Sequence, residues 1–453
     1  MIKKFHIISY GCQMNVYDNE IITSILIRCN LLYVINILDA DLIIINTCSI
    51  REKAETTVYN KLLYLNSLKK KKKIYIGVVG CMVRRLKFIN NLKKNIIDFV
   101  LGPDQYRELP YIIKSIENNR YFSNVLLSNE ETYSNIFPSK IYNINKVTTY
   151  VTITRGCDNM CTFCVVPFTR GRERSKSPKN ILNECNKLYE MGYKEVTLLG
   201  QNVDSYLWTK ETHIKKNIKK EFKQINFSML LELIATKLPN IRIRFCTSNP
   251  HDMSLSVIKI IKKYNNICKY IHLPVQSGSN KILKLMKRKY TRLNYIKLIE
   301  NIRNIIPECA ISYDIITGFC NETEKDHIDT LNLMKYIKYD FGYMFIYSHR
   351  KGTYAYNKYK DNVSFDIKKR RLYDIIKLQR KHSKLNLKKY LNTIQHVLIE
   401  SDSKKNSNYW SGRNSQNLII IFKKNGEKLG EFVNVKILSY TSATLIGEKI
   451  KYY

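Results

Sequence analysis

Between Thr154 and Cys164 the chain reads Thr-Arg-Gly-Cys-Asp-Asn-Met-Cys-Thr-Phe-Cys, so Cys157, Cys161 and Cys164 follow a Cys-x3-Cys-x2-Cys spacing. Three thiolates this close can hold three irons of a cubane cluster. A cubane ligated wholly by protein takes four, so one iron would stay open for a substrate or cofactor. A tetrahedral zinc site asks for a fourth ligand close by, and no Cys or His follows until Cys185. A second set is spread along the first segment. Cys12, Cys48 and Cys81 each come directly after an apolar run: Phe5–Tyr10, Ala40–Asn46 and Ile74–Val79. Each alone reads as a core residue, but three at equivalent places in successive units point to a second three-thiolate site. Gly11 and Gly80, just before two of them, let the backbone turn closely around a bulky group.

These residues need elements to gather them. In the first segment, apolar strand-like runs alternate with helix-like stretches such as Arg51–Leu68, which predicts a parallel sheet. Parallel strands end on one edge, so Cys12, Cys48 and Cys81 can converge although they lie far apart in sequence. The central segment repeats a strand-then-polar-loop unit six times. The units begin at Tyr150–Ile153 (before Cys157), Glu195–Leu199, Arg242–Phe245, Tyr270–Leu273, Ala310–Ile316 and Tyr343–Ile346. They predict a partial (βα)6 barrel with its site at the carboxyl face. Gln201 and Gln276, in the loops after the second and fourth strands, are the candidate cofactor contacts. Ser177-Pro178 starts a helix that Gly192 ends. The C-terminal region carries short strand signals at Gln395–Ile399, Leu418–Phe422, Phe432–Leu438 and Ala443–Gly447, which predict a small β-barrel. The fold class is α/β, with three domains expected at 1–119, 143–378 and 382–450. Residues 120–142 read as a polar linker. Lys210–Lys223 reads as a lysine-rich loop without periodicity.

The chain has 453 residues, with 76 Lys and Arg against 38 Asp and Glu, a formal net charge of +38. Such a field favours a polyanion, most simply nucleic acid; the alternative source of the lysine excess is a coding bias toward adenine and thymine, which would also produce the richness in Ile, Asn and Tyr. Arg170, Arg172 and Arg174, just past the cysteine loop, are read as RNA phosphate contacts, with pairing to neighbouring carboxylates as the alternative. Tyr409, Trp410 and Arg413 are candidate RNA contacts of the C-terminal domain. No run of eighteen apolar residues is present, so no membrane span is expected. Polar residues interrupt the N-terminus too soon for a signal peptide. Twelve cysteines without a secretory signal fit a reducing compartment, so the expected location is the cytoplasm.

The words Gly11-Cys12-Gln13-Met14-Asn15, Asn46-Thr47-Cys48-Ser49-Ile50-Arg51-Glu52 and Gly80-Cys81-Met82 resemble the N-terminal domain of methylthiotransferases. Arg155–Arg174 resembles the cluster loop of the radical S-adenosylmethionine (SAM) superfamily. Ser411-Gly412-Arg413 and Gly430-Glu431-Phe432-Val433 resemble a TRAM domain. The resemblance covers essentially the whole chain. It implies two [4Fe–4S] clusters, the auxiliary one on Cys12, Cys48 and Cys81 and the radical SAM one on Cys157, Cys161 and Cys164. It implies SAM as methyl donor and radical source, the tRNA anticodon stem-loop as partner, an electron donor such as a flavodoxin, and a monomer. The reaction implied is methylthiolation of C2 of an isopentenylated adenosine. The alternatives are a methylthiotransferase acting on threonylcarbamoyl-adenosine or on a ribosomal-protein aspartate, and a non-catalytic iron–sulfur RNA-binding protein. The chain departs from the family's usual words at Asn249, Cys320 and Tyr354.

Overall fold

The structure is a computed structural model that describes residues 2–48, 52–84, 96–141, 146–212 and 221–450. The N-terminal part runs β1 (Lys4–Ser9), α1 (Gln13–Arg28), β2 (Leu32–Tyr33), β3 (Leu42–Thr47), α2 (Glu52–Lys69), β4 (Tyr75–Gly80), β5 (Phe99–Leu101), α3 (Leu109–Glu117) and β6 (Phe122–Asn124). The strands form one parallel sheet in the order β2-β1-β3-β4-β5-β6. Strands β3 and β4 are buried at every position, which is why they read as nearly unbroken apolar runs; both faces are covered. Ser9 pairs with Asn46 and Thr47 with Gly80. The three strands therefore finish level and release Cys12, Cys48 and Cys81 from one edge.

The sheet also takes in part of the segment read as a linker. Strand β6 pairs with β5. Beyond it, Tyr133 is buried and donates its hydroxyl to the Pro103 carbonyl at 3.0 Å. A few buried aromatics anchor a stretch whose polar composition hides them.

The central part begins with β7 (Thr148–Thr152). The hairpin strands β8 (Thr154–Arg155) and β9 (Arg174–Ser175) then close around α4 (Val166–Arg170). Alternation follows: α5 (Pro178–Glu190), β10 (Glu195–Leu199), the antiparallel pair β11 (Leu207–Thr212) and β12 (Glu221–Asn226), α6 (Phe227–Lys237), β13 (Arg242–Phe245), α7 (Leu255–Lys263) and β14 (Tyr270–His272). The remainder is α8 (Asn280–Leu285), α9 (Arg292–Ile305), β15 (Ala310–Thr317), α10 (Glu324–Ile337), β16 (Phe341–Ile346), α11 (Tyr354–Lys358) and α12 (Phe365–Lys388). Six parallel strands make two triplets, β7-β10-β13 and β14-β15-β16, joined through the parallel bridge Ile243–Ile267. This is the partial barrel that six units predict. The lysine-rich insertion differs from its reading as a loop. Leu207 pairs with Asn226 and Trp208 with Ile225, so it opens and closes as a hairpin, while residues 213–220 lie outside the described residues.

The C-terminal barrel closes as β17 (Ile394–Ser403), β18 (Asn406–Arg413), β19 (Ile419–Lys423), β21 (Leu445–Lys449) and β20 (Phe432–Tyr440). Its core is Val397, Ile399, Ile420, Phe422, Val435 and Ile437, with Trp410 packed against it. Among the described residues no helix is long and apolar enough to cross a membrane.

Candidate cluster and cofactor sites

The contiguous cysteine loop is tied down from three sides. Gly156 sits at φ +79°, and a Cβ there would lie 2.0 Å from the Arg172 carbonyl oxygen, so only glycine fits. The Cys157 amide donates to the Gly171 carbonyl at 3.1 Å. Thr162 donates its amide to the Met286 carbonyl and accepts at its own carbonyl from the Ala355 amide at 2.8 Å. The Val166 amide donates to the Cys164 sulfur at 3.4 Å, and Arg288 Nη1 donates to the Cys161 sulfur at 3.3 Å. Arg288 is otherwise held by Asn249 Oδ1 and the Pro274 carbonyl, and its Nε donates to the Tyr290 hydroxyl. Burial pushes the Cys157 thiol up to about 12 and the Cys164 thiol up to about 11, with the neighbouring cysteine thiols adding to the rise. In sequence Arg288 sits in the basic run Lys287-Arg288-Lys289, where nothing local separates a buried arginine from surface lysines.

The second set is assembled across three strand ends. Asn15, in the first turn of α1, explains the motif that begins at Cys12. Its side-chain amide donates to the Tyr10 carbonyl at 3.0 Å and the Thr47 carbonyl at 2.9 Å, tying the loop of Cys12 to the loop of Cys48. Thr47 Oγ1 donates to the Val79 carbonyl at 2.6 Å, tying that loop to the end of β4 and Cys81. Gly11 sits at φ +143°, and a Cβ there would lie 2.6 Å from the Cys48 Cβ. A hydrogen bond with Cys48, helped by the Arg170 charge, holds the Cys12 thiol down at about 6 against burial. Burial raises the Cys81 thiol, although Arg170 pulls the other way. None of the twelve cysteines, all of which are described, forms a disulfide.

Among the described residues no three His, Cys, Asp or Glu side chains sit close enough to share a single ion. A cubane places one thiolate on each iron, so it asks for wider spacing. Each site offers three cysteine sulfurs with N–H groups aimed at sulfur. That donor chemistry fits an iron–sulfur cluster and not a closed zinc centre.

The arginines correct the expectation of RNA contacts. Arg170 is 3% exposed; its Nη2 lies 2.8 Å from Asp18 Oδ2, and its Nε donates to the Cys81 sulfur at 3.0 Å. Arg174 is buried against Asp104 at 2.9 Å. A buried guanidinium must be paired, and both are spent on carboxylates of the N-terminal part. Only Arg172 stays at the surface, 64% exposed and 3.3 Å from Asp158. Arg413 is also committed, with Glu400 at 2.9 Å and Glu195 at 3.1 Å. It bolts the C-terminal barrel to the amino-terminal end of the central one, where Arg244 donates to the Asn414 carbonyl. The Trp410 ring, half-buried, carries Lys424 at 4.1 Å from its centroid.

Helix α1 forms the seam between the two cysteine sites. Its first half is polar yet buried, with Asn15, Asp18, Asn19 and Glu20 enclosed where the helix meets the central barrel, and its second half puts Ile21, Ile22, Ile25 and Leu26 into the core of the sheet. Its two carboxylates find partners across that seam, and so does the Tyr17 hydroxyl. Asp18 takes Arg155 and Arg170, Glu20 takes Lys140, and Tyr17 donates to Glu184.

At the carboxyl face, Gln201 Oε1 and Gln276 Oε1 are buried and have no hydrogen-bond partner among the described residues. Gln276 is held at φ +68°, and its backbone is fixed between Asp314 and Ile316. Two orphaned acceptors at the ends of β10 and β14 fit a polar ligand with donor groups, as SAM is. A cavity of about 350 Å³ opens beside the cysteine loop, lined by Asp158, Glu173, Ser205, Asp252 and Lys289 among others. Burial raises Glu173 to about 7. Asn249, one of the departures from the family's words, joins Asp252 to Arg288. Cys320 is buried with Phe319 and Tyr347, and the Tyr354 ring lies under Lys287.

Comparison with known proteins places each part. Residues 151–334 match the radical SAM superfamily, residues 4–102 match Uncharacterized protein family UPF0004, and residues 388–450 match the TRAM domain. The chain is 55% identical to the tRNA-2-methylthio-N(6)-dimethylallyladenosine synthase of Karelsulcia muelleri (strain GWSS), covering 98% of this chain and 99% of the relative. It is 53% identical to the protein of the same name from Christiangramia forsetii, covering 99% and 94%. Among solved structures it resembles a radical S-adenosylmethionine methyltransferase from Kitasatospora setae with cobalamin and a [4Fe-4S] cluster bound. The TM-score is 0.54 at 10% identity, over 76% of this chain and 75% of that one, which shows the shared fold alone.

Proposed function

Because the chain belongs to the family of tRNA-2-methylthio-N(6)-dimethylallyladenosine synthases, we infer that it replaces the C2 hydrogen of an isopentenylated adenosine beside the anticodon of tRNA with a methylthio group. The observation that carries this reading is identity above one half across essentially the whole chain, a span that takes in all three parts of the fold. Two [4Fe–4S] clusters and SAM supply the hydrogen-abstracting radical, the sulfur and the methyl group when bound. The target C–H bond is unreactive, which is why the reaction calls for radical chemistry.

The roles of this chain's residues follow. Cys157, Cys161 and Cys164 hold the radical SAM cluster, and Cys12, Cys48 and Cys81 the auxiliary one. Gln201 and Gln276 accept hydrogen bonds from SAM at the carboxyl face. Arg288 holds positive charge beside Cys161 without a carboxylate partner among the described residues. Phe163, Ile282, Phe319 and Tyr347 form an apolar wall behind the loop and keep water from it. Helix α1 fixes the two sites relative to each other. Arg172 and the net charge of +38 attract the anticodon stem-loop, and the adenine must be presented unstacked, as loop bases can be. The enzyme works as a cytoplasmic monomer supplied by an electron donor such as a flavodoxin.

An anaerobic reaction of cluster-loaded protein with SAM, a reductant and tRNA carrying isopentenyl-adenosine tests the reading, with the digested nucleosides weighed by mass spectrometry. A methylthio-sized gain on that nucleoside is expected. A gain only on threonylcarbamoyl-adenosine or on a ribosomal-protein aspartate would overturn the substrate. Loaded protein that cleaves no SAM and modifies nothing would be a binding protein.

A further inference from the structure

Arg170 belongs to the central barrel, six positions after Cys164, yet its side chain ends among the cysteines of the N-terminal sheet. Its guanidinium makes three assigned contacts: Nε to the Cys81 sulfur at 3.0 Å, Nη2 to Asp18 Oδ2 at 2.8 Å, and Nη2 to Asn15 Oδ1 at 3.0 Å. Nη1 is buried and has no partner among the described residues. The planar fork is pinned on one side by Asp18, which is itself fixed by Arg155 at 2.8 Å. The guanidinium lies close enough to both Cys12 and Cys81 for its charge to act on their thiols. Asn15, which orients the fork, is the residue that ties the loops of Cys12 and Cys48 together.

We propose that Arg170 is a positioning residue of the auxiliary cluster: its Nε orients the Cys81 thiolate, and its unpartnered Nη1 is a hydrogen-bond donor kept for a sulfur of the cluster or of its open iron. The inference rests on the assignment of Cys12, Cys48 and Cys81 to that cluster. Hydrogen bonds to cluster and ligand sulfurs are among the levers that set reduction potential. A cluster gains negative charge on reduction, so a fixed guanidinium stabilises the reduced form more than the oxidised form. Outer contacts of this kind also hold the group in place. Because Arg170 sits on the same short stretch as the radical SAM cysteines, it links the two sites directly.

The test uses the full chain with Cys157, Cys161 and Cys164 replaced by Ala, so that only the auxiliary set can hold iron. Arg170→Gln is combined with Asp18→Asn so that the net charge of the site is kept while the guanidinium's hydrogen bonds to sulfur are removed; Arg155 keeps Asp104 at 4.0 Å. Iron content, iron release to a chelator and midpoint potential by EPR-monitored titration are compared with the parent. The double variant is expected to release iron about tenfold faster. Its potential is expected to be more negative by about 59 mV, a tenfold change for one electron. Should the double variant fail to fold, Arg170→Lys decides: it keeps the charge beside Asp18 but lacks the fork, and faster iron release is expected from it too. Folded variants that match the parent in release rate and potential would overturn the inference. A parent that binds no iron would instead overturn the auxiliary-cluster assignment.

Discussion

The two cysteine sites present the same three sulfurs in opposite ways. One is a single loop in which eight residues span all three cysteines, fixed by Gly156, by the β8–β9 hairpin and by backbone bonds to Met286 and Ala355. The other exists only because three strands end level and Asn15 and Thr47 tie their loops together. Each has one arginine on one sulfur, but the electrostatics differ. Arg288 beside Cys161 faces neutral oxygens, whereas Arg170 beside Cys81 is balanced by Asp18. The local site keeps one arginine without a carboxylate partner among the described residues. The assembled site is nearly neutralised and depends on contacts from another part of the chain. Local geometry makes the first site robust, and the seam at α1 makes the second conditional.

The largest effect separates the sites by removing them. Replacing either cysteine triple with Ala should cut iron from about eight to about four per chain, on cubane stoichiometry, as read by iron analysis after anaerobic reconstitution. Eight irons in either variant would erase the distinction. Next, Asp18→Ala leaves Arg155 and Arg170 buried with one partner fewer, which should cost about 3–5 kcal/mol. A thermal melt should show the loss, and the auxiliary iron should leave first, because that site has no single loop of its own to hold its three cysteines together.

The second seam, between the barrels, sharpens the contrast because it touches neither site. Burial pushes Glu195 up, but Arg244, Arg242 and Arg413 outweigh it and hold the carboxyl at about 2. A lowered carboxylate stabilises the fold fully above its unfolded value of about 4.3, and that stability is lost as pH falls through about 2. The amount at stake is on the order of 3 kcal/mol. Melting followed from pH 5 to pH 2.5 should fall more steeply for the parent than for Glu195→Gln, with cluster content at pH 7 unchanged. A more local effect, roughly 1–3 kcal/mol of backbone strain plus the clash of the new Cβ with the Arg172 carbonyl or the Cys48 side chain, is expected from Gly156→Ala and Gly11→Ala. Visible EPR signals should show the first depleting the radical SAM cluster and the second the auxiliary cluster. Loss of both clusters in either variant would contradict the independence of the two loops.

How far the sequence carried follows from the same contrast. The contiguous spacing of Cys157, Cys161 and Cys164 is visible in one line of residues, and the level strand ends follow from apolar runs repeated before Cys12, Cys48 and Cys81. The six barrel strands were legible for the same reason, since β10 and β13 are buried at every position. What stayed hidden depends on partners distant in sequence. Arg170 and Arg174 look like surface arginines until Asp18 and Asp104 are brought to them, and Arg413 looks like an RNA contact until Glu195 meets it from another barrel. Strand β18, Asn-Ser-Asn-Tyr-Trp-Ser-Gly-Arg, is too polar to announce itself, and its pairing with β17 and β19 supplies what its composition does not. The hairpin β11–β12 was masked in the same way by its lysines.

The central claim is that the two triples do different work within one reaction. It is tested most directly by running both Ala triples, each shown to hold its remaining cluster, with SAM, reductant and tRNA carrying isopentenyl-adenosine. Deoxyadenosine and the methylthio nucleoside are then measured in the same digest. The Cys12, Cys48 and Cys81 variant should still form deoxyadenosine and make no methylthio product, while the Cys157, Cys161 and Cys164 variant should form neither. Methylthio product from the first variant, or deoxyadenosine from the second, would contradict the division of labour.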